Sequence, residues 1–149
     1  MKEIGFIGLG NMGISMAKNL IENGFNLTGF DLNPKQLDTL KELGGTPVAT
    51  CKEVGEKADA VFIMVLSGAQ IKQALFGDSG LLASLKPGST IIVSATVHPS
   101  EIRELEQPIL DRGIHLVDTP VSGGKPGAEG GTLTLMTAAP QQVFDDIKP

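Results

Sequence analysis

Paired cysteines, long apolar runs and an excess of basic residues are all missing from this chain of 149 residues, and each absence excludes a class of protein. The single cysteine, Cys51, cannot close an internal disulfide and has no CxxC or Cys/His partner at ligand spacing, so it reads as a structural thiol and no metal site is expected. The longest purely apolar run, AVFIMVL from Ala60 to Leu66, is far shorter than the ~20 residues a membrane-spanning helix needs. It suits a buried strand instead. The opening residues MKEIGFIGLG set an acid beside the lysine and break their apolar run with glycines, unlike a signal peptide, so no membrane association and a cytoplasmic location are expected. A formal net charge of -5 argues against nucleic acid as a partner, because such proteins normally present basic patches that release counterions. Any phosphate bound here must be held by local groups.

What the chain does have is a 41% hydrophobic composition, enough for the core of one domain, and a steady exchange of strand-like and helix-like segments. KEIGFIG, FNLTGFD, the Asp59 to Leu66 stretch, STIIVSA and IHLVDTP read as strands, with a weak one near Pro47 and Val48 and another in TLTLMTA. Between them NMGISMAKNLIENG, NPKQLDTLKELG, Lys52 to Lys57, Ala69 to Phe76 and PSEIRELEQPILDRG read as helices, and a last helix is expected from Pro140. Asn33 followed by Pro34 marks a helix start, and Gly24, Gly44 and Gly113 mark helix ends. Short buried strands alternating with helices predict an α/β fold with a doubly wound, mostly parallel sheet.

The glycines are concentrated where the first strand becomes the first helix. Gly8-Leu9-Gly10-Asn11-Met12-Gly13 has the spacing GxGxxG. In that context Gly8 permits a tight turn, Gly10 lets a pyrophosphate approach the backbone, and Gly13 lets helix and strand pack closely. The helix N-terminus then faces the phosphates with unpaired N–H groups and the positive end of its dipole, which needs no lysine. A second strand ends in Asp31, near the distance expected for a ribose ligand, although Asp31 could also serve as a cap for the next helix. A carboxylate there accepts from the ribose hydroxyls and repels the extra phosphate of NADP. With Leu32 next and Lys35 close by, NAD is the expected cofactor and NADP the second choice.

FIGLGNMGISMAKNL, LKPGSTIIVSAT and DTPVSGGKPGAEGGTL, three separated motifs in order, resemble the β-hydroxyacid dehydrogenase family, the group of 3-hydroxyisobutyrate dehydrogenase and tartronate semialdehyde reductase. The resemblance spans essentially the whole chain. It implies a Rossmann-type domain with helices on both faces of the sheet, occupying residues 1–149, and an oxidoreductase that moves a hydride between NAD and a small hydroxy acid. It also implies that Leu66 and Ser67, with Ile71 nearby, run under the adenosine side, and that Thr96 contacts the nicotinamide end. By the same resemblance Ser122, Gly123 and Gly124 hold the substrate carboxylate, in a segment whose hydroxyl and glycine amides can form an anion-binding nest.

The family's acid/base is a lysine on a helix beyond the nucleotide domain, followed by an all-helical domain that closes the site and accompanies oligomer formation. Lys18, Lys125 and Lys148 do not match that motif, so no catalytic residue is assigned within the chain, and the 149 residues alone are expected to be inactive. QQVFDDIKP stops just as an amphipathic helix begins, so a longer natural protein is expected. His98 is a local alternative base, whereas His115, inside a strand, reads as structural. Val93 and Ala95 stand where the family often has aspartate and serine, and SGAQIKQALFGDSG resembles the L-threonate dehydrogenase branch. The rival readings are a non-catalytic NAD-binding sensor domain and a dehydrogenase of the 6-phosphogluconate type.

Overall fold

The computed structural model describes residues 3–65, 67–76, 79–94, 99–118, 121–122 and 134–135. Strand β1 (Glu3–Ile7) leads into helix α1 (Asn11–Glu22), then β2 (Asn26–Phe30), α2 (Pro34–Glu42), a two-residue β3 (Thr46–Pro47) and α3 (Cys51–Lys57). The second half runs β4 (Ala60–Ile63), α4 (Gly68–Leu75), a short 3-10 turn at Leu81–Ala83, β5 (Thr90–Val93), α5 (Pro99–Leu110) and β6 (His115–Asp118). Six strands form one sheet in the order β3-β2-β1-β4-β5-β6, and every neighbouring pair is parallel. The chain therefore winds outward from β1 in one direction, returns, and winds outward in the other.

Alternation along the strands builds a core on each face, as the two-residue period of a strand requires. Ile7, Val61, Ile63, Ile91 and Val93 point to the side covered by α3, α4 and α5, where Val54, Ile71, Leu75, Leu105 and Ile109 meet them. Ile4, Phe6, Ala60, Ile92 and Val117 point to the other side, against Met16 and Ala17 of α1 and Leu40 of α2. Phe6 and Phe62 stack there across the β1–β4 pair with ring centroids 5.5 Å apart. Both faces are thus covered, which is why the strands read as near-continuous apolar runs.

The local signals act as expected. The Asn33 side chain accepts from the Lys35 amide at 3.0 Å to cap α2, with Pro34 in its first turn, and Gly24, Gly44 and Gly113 all adopt positive φ beyond their helices. The weak strand expected at Pro47 and Val48 is β3, the sheet edge, and the long apolar stretch is in strand conformation only over Ala60–Ile63. TLTLMTA departs from the simplest expectation. Its described part, β8 (Thr134–Leu135), pairs antiparallel with β7 (Val121–Ser122) in a separate two-stranded sheet instead of extending the parallel one. The helix expected from Pro140 lies outside the described residues.

Candidate functional site

A cleft of about 970 Å³ opens at the carboxyl ends of the strands, beside the point where the winding reverses between β1 and β4. Ligands of open α/β sheets bind in such crevices. Ile7 and Gly8 come from the end of β1, Phe30 to Asn33 from the end of β2, Met64 and Val65 from the end of β4, and Gln73 and Ala74 from α4.

The three glycines of the turn have three separate physical reasons. Gly8 has φ +93, and a Cβ there would run into the Met64 carbonyl oxygen, so β4 closes directly over the turn. Gly13 sits inside α1, where a Cβ would strike the Gly8 carbonyl oxygen, so it permits the close approach of helix and strand. Gly10 differs from both, because a Cβ there would meet nothing within 4 Å and its backbone is ordinary extended chain at φ -67 and ψ -167. It is exposed, it lines the cleft and it precedes an α1 N-terminus with no side-chain cap and no acid in its first turn. A backbone left open at a helix N-terminus is the cradle that a diphosphate fits.

Asp31 follows β2 and lines the same cleft. One carboxylate oxygen accepts from the Leu9 amide at 2.7 Å, and the other accepts from the Asn33 amide at 2.7 Å. Since Asn33 caps α2, Asp31 is not that helix's cap. A carboxylate offers about four acceptor positions, so two remain for ligand hydroxyls. The donor set and the open glycine therefore fit a nucleotide whose ribose meets Asp31 and whose phosphates meet the turn.

The side chains of the other expected contact residues have structural places. Leu9 is fully buried in the core shared with α1 and α2, and Met12 packs against that core, so the side chains of both serve the fold. Ile71, expected near the adenosine, is fully buried in the core with Ile63, Val93 and Leu105, because its position on α4 faces the sheet. Ser67 is the N-cap of α4, its hydroxyl accepting from the Gln70 amide at 3.3 Å. His115 lies in β6 opposite Thr90. Leu66, Thr96, His98, Gly123, Gly124, Lys125 and Lys148 lie outside the described residues, and of Ser122 only the backbone pairing with Thr134 is described.

Several lining residues carried no mark in the sequence. Thr50 and Cys51 reach the cleft from the start of α3, and Phe76, Ser79 and Gly80 from the segment after α4. Only the strand order brings these segments beside β1 and β2, so no local pattern could have singled them out. Burial pushes the Cys51 thiol up from an ordinary 9.0 to about 11, and burial likewise raises the Asp118 carboxyl at the end of β6. Among the described residues no group of three or more His, Cys, Asp or Glu side chains could hold a metal ion, and no helix is long and apolar enough to cross a membrane.

A 3-2-1-4-5-6 parallel sheet, a glycine turn opening onto a helix N-terminus and an acid at the end of the second strand define a dinucleotide-binding domain of the Rossmann class. The chain belongs to the family of the NAD binding domain of 6-phosphogluconate dehydrogenase, whose model matches residues 3–149. It is 38% identical over 143 residues to an L-threonate dehydrogenase of Cupriavidus necator, covering 96% of this chain and 48% of that protein. It is also 38% identical over 147 residues to a probable mitochondrial 3-hydroxyisobutyrate dehydrogenase of Dictyostelium discoideum, covering 99% of this chain and 46% of the relative. Among solved structures, 3-hydroxyisobutyrate dehydrogenase of Mycobacterium tuberculosis, determined with L-serine, superposes with a TM-score of 0.94 at 30% identity, over 100% of this chain and 50% of that one. The chain thus spans about half the length of these relatives, and it is similar throughout to the NAD-binding domain of hydroxyacid dehydrogenases.

Proposed function

We propose that this chain is the cofactor-binding half of an oxidoreductase that moves a hydride between NAD and a small hydroxy acid of the L-threonate or 3-hydroxyisobutyrate kind. The observation that supports it most is the Asp31 carboxylate bonded to the Leu9 amide inside the glycine turn, which sets a ribose acceptor and a phosphate cradle side by side on one cleft. NAD, when bound, supplies the hydride chemistry. In this reading the backbone of Gly8, Leu9, Gly10, Asn11, Met12 and Gly13 and the start of α1 hold the pyrophosphate. Asp31 accepts from the adenosine ribose and disfavours the added phosphate of NADP.

By the family resemblance, Leu66 and Ser67 contribute backbone beneath the adenosine, and Thr96 meets the nicotinamide end. Ser122, Gly123 and Gly124 orient the substrate carboxylate. Proton transfer belongs to a lysine on a following helix, and an all-helical domain closes the site and joins copies into an oligomer, in the cytoplasm. The names of the relatives support a hydroxy acid as substrate, including a 2-hydroxy-3-oxopropionate reductase of Escherichia coli at 37% identity over 147 residues.

The test is a substrate panel with the full-length enzyme, following NADH formation with L-threonate, 3-hydroxyisobutyrate, L-serine and a phosphorylated sugar acid. Oxidation of one of the first three is expected, and activity confined to the phosphorylated acid would overturn the assignment. The 149 residues alone should bind NAD and form no NADH with any of them, since loss of a positioned base costs about a hundredfold or more. Turnover by this chain alone would make His98 the first residue to replace.

A further inference from the structure

The glycine turn is restrained on several sides by backbone. The Gly8 amide donates to the Phe30 carbonyl at 3.1 Å, the Met64 amide donates to the Ile7 carbonyl at 2.8 Å, and the helix begins with the Ile14 amide donating to the Gly10 carbonyl at 2.8 Å. Between Gly8 and Gly10 the acceptor for the chain is a side chain: Leu9, fully buried, gives its amide to Asp31 at 2.7 Å from 22 positions away. The second Asp31 oxygen is fixed by the Asn33 amide, so the carboxylate is itself held at the start of the β2–α2 connection.

From this we infer that Asp31 is a positioning residue for the phosphate turn as well as a ribose acceptor: its carboxylate holds the Leu9 amide and so presets the Gly8–Gly10 backbone for the diphosphate. This rests on the cofactor reading above and deepens it. The two roles predict opposite signs for a ligand without ribose hydroxyls. If Asp31 serves only the ribose, removing its negative charge beside a diphosphate leaves such a ligand bound equally well or more tightly. If it holds the turn, the same ligand binds more weakly, because the buried Leu9 amide loses its acceptor and the turn relaxes. A consequence for specificity follows. Replacing Asp31 lowers affinity for NAD on both counts, whereas for NADP the relief of charge repulsion is offset by the loosened turn, so a change at this position alone does not make the domain a tight NADP binder.

The experiment measures binding of ADP and of 2′,3′-dideoxy-ADP to the chain and to its Asp31→Ala and Asp31→Asn variants by calorimetry, with amide hydrogen exchange at Leu9 recorded in parallel. Dideoxy-ADP should bind Asp31→Ala about tenfold or more weakly than it binds the parent chain, as loss of a hydrogen bond to a charged group predicts. Asp31→Asn, which keeps one carbonyl acceptor without the charge, should recover part of that loss. The Leu9 amide should lose protection in Asp31→Ala while the β1 amides keep theirs, and this readout needs no ligand. Unchanged or tighter dideoxy-ADP binding in both variants, with Leu9 still protected, overturns the positioning role and leaves the cofactor reading standing. Failure of the parent chain to bind ADP overturns the cofactor reading, and with it this inference. Should Asp31→Ala not fold, Asp31→Asn carries the same comparison through its single remaining acceptor.

Discussion

Gly10 and Gly13 look alike in the GxGxxG spacing and differ in their surroundings. Gly13 abuts the Gly8 carbonyl, whereas Gly10 faces the open cleft. Gly13→Ala should therefore destabilise the fold by about 2 kcal/mol or more, since added volume in a tight contact must displace backbone. Gly10→Ala, at the N-cap of α1, should cost no more than about 1 kcal/mol of stability and weaken NAD binding about tenfold or more. Urea unfolding followed by circular dichroism, paired with NAD titration, separates the two, and equal stability losses would contradict the division. Cys51 gives a residue-scale prediction of a different kind. Because its folded thiol is raised to about 11 while the unfolded one stays near 9.0, the unfolded chain loses its proton first as pH rises. Stability should fall between about pH 9 and pH 11, and alkylation by iodoacetamide should be slow at pH 8, slower still with NAD in the cleft that Cys51 lines. Rapid alkylation at pH 8 in the folded chain would contradict the burial. At this scale the glycine turn and the place of Asp31 at the end of β2 were legible in the sequence because spacing and position mark them. The bond from Leu9 to Asp31 was not, since only the parallel register of β1 with β2, which brings Ile7 beside Phe30, makes these residues neighbours.

The strands carry unequal shares of the stability. All four residues of β5 are buried, and β5 pairs on both sides, with β4 and β6. β3 is two residues long, includes Pro47 and forms the sheet edge. Amide exchange should accordingly be slowest in β1, β4 and β5 and fast in β3, and Ile91→Ala should destabilise the domain by about 2–5 kcal/mol in urea unfolding. A loss below about 1 kcal/mol would show that the core on the α3–α4–α5 side does not depend on this strand. Most elements were readable from apolar runs, caps and glycines, because a strand buried on both faces and an amphipathic helix leave different patterns. The hairpin of β7 with β8 escaped that reading: TLTLMTA has a strand composition, and composition does not say which partner a strand takes. The burial of Ile71 was not legible for a similar reason, since which side of α4 meets the sheet depends on packing with Val93 and Leu105.

At the scale of the molecule, a net charge of -5 is compatible with the proposed phosphate-binding cleft, because the α1 N-terminus offers an anion backbone amides and the positive end of its dipole. On the proposed reading, the acid that adjoins this site favours the cofactor with free ribose hydroxyls: NAD would gain a charge-assisted hydrogen bond at Asp31, about 1.5 to 3 kcal/mol, and NADP would replace that gain with a phosphate facing the carboxylate. The cofactor half of the chemistry was legible from a few residues of β1, α1 and β2. The substrate half was legible only through the family resemblance, because Gly123 and Gly124, expected to hold the hydroxy acid, lie outside the described residues, and the lysine proposed to move its proton is assigned by that resemblance to no position in this chain. Calorimetric titration of this chain with NAD and NADP under one buffer and salt condition tests the central claim most directly. NAD should bind about tenfold or more tightly than NADP, with the gap narrowed in Asp31→Ala; equal or tighter binding of NADP, or no binding of NAD, would contradict it.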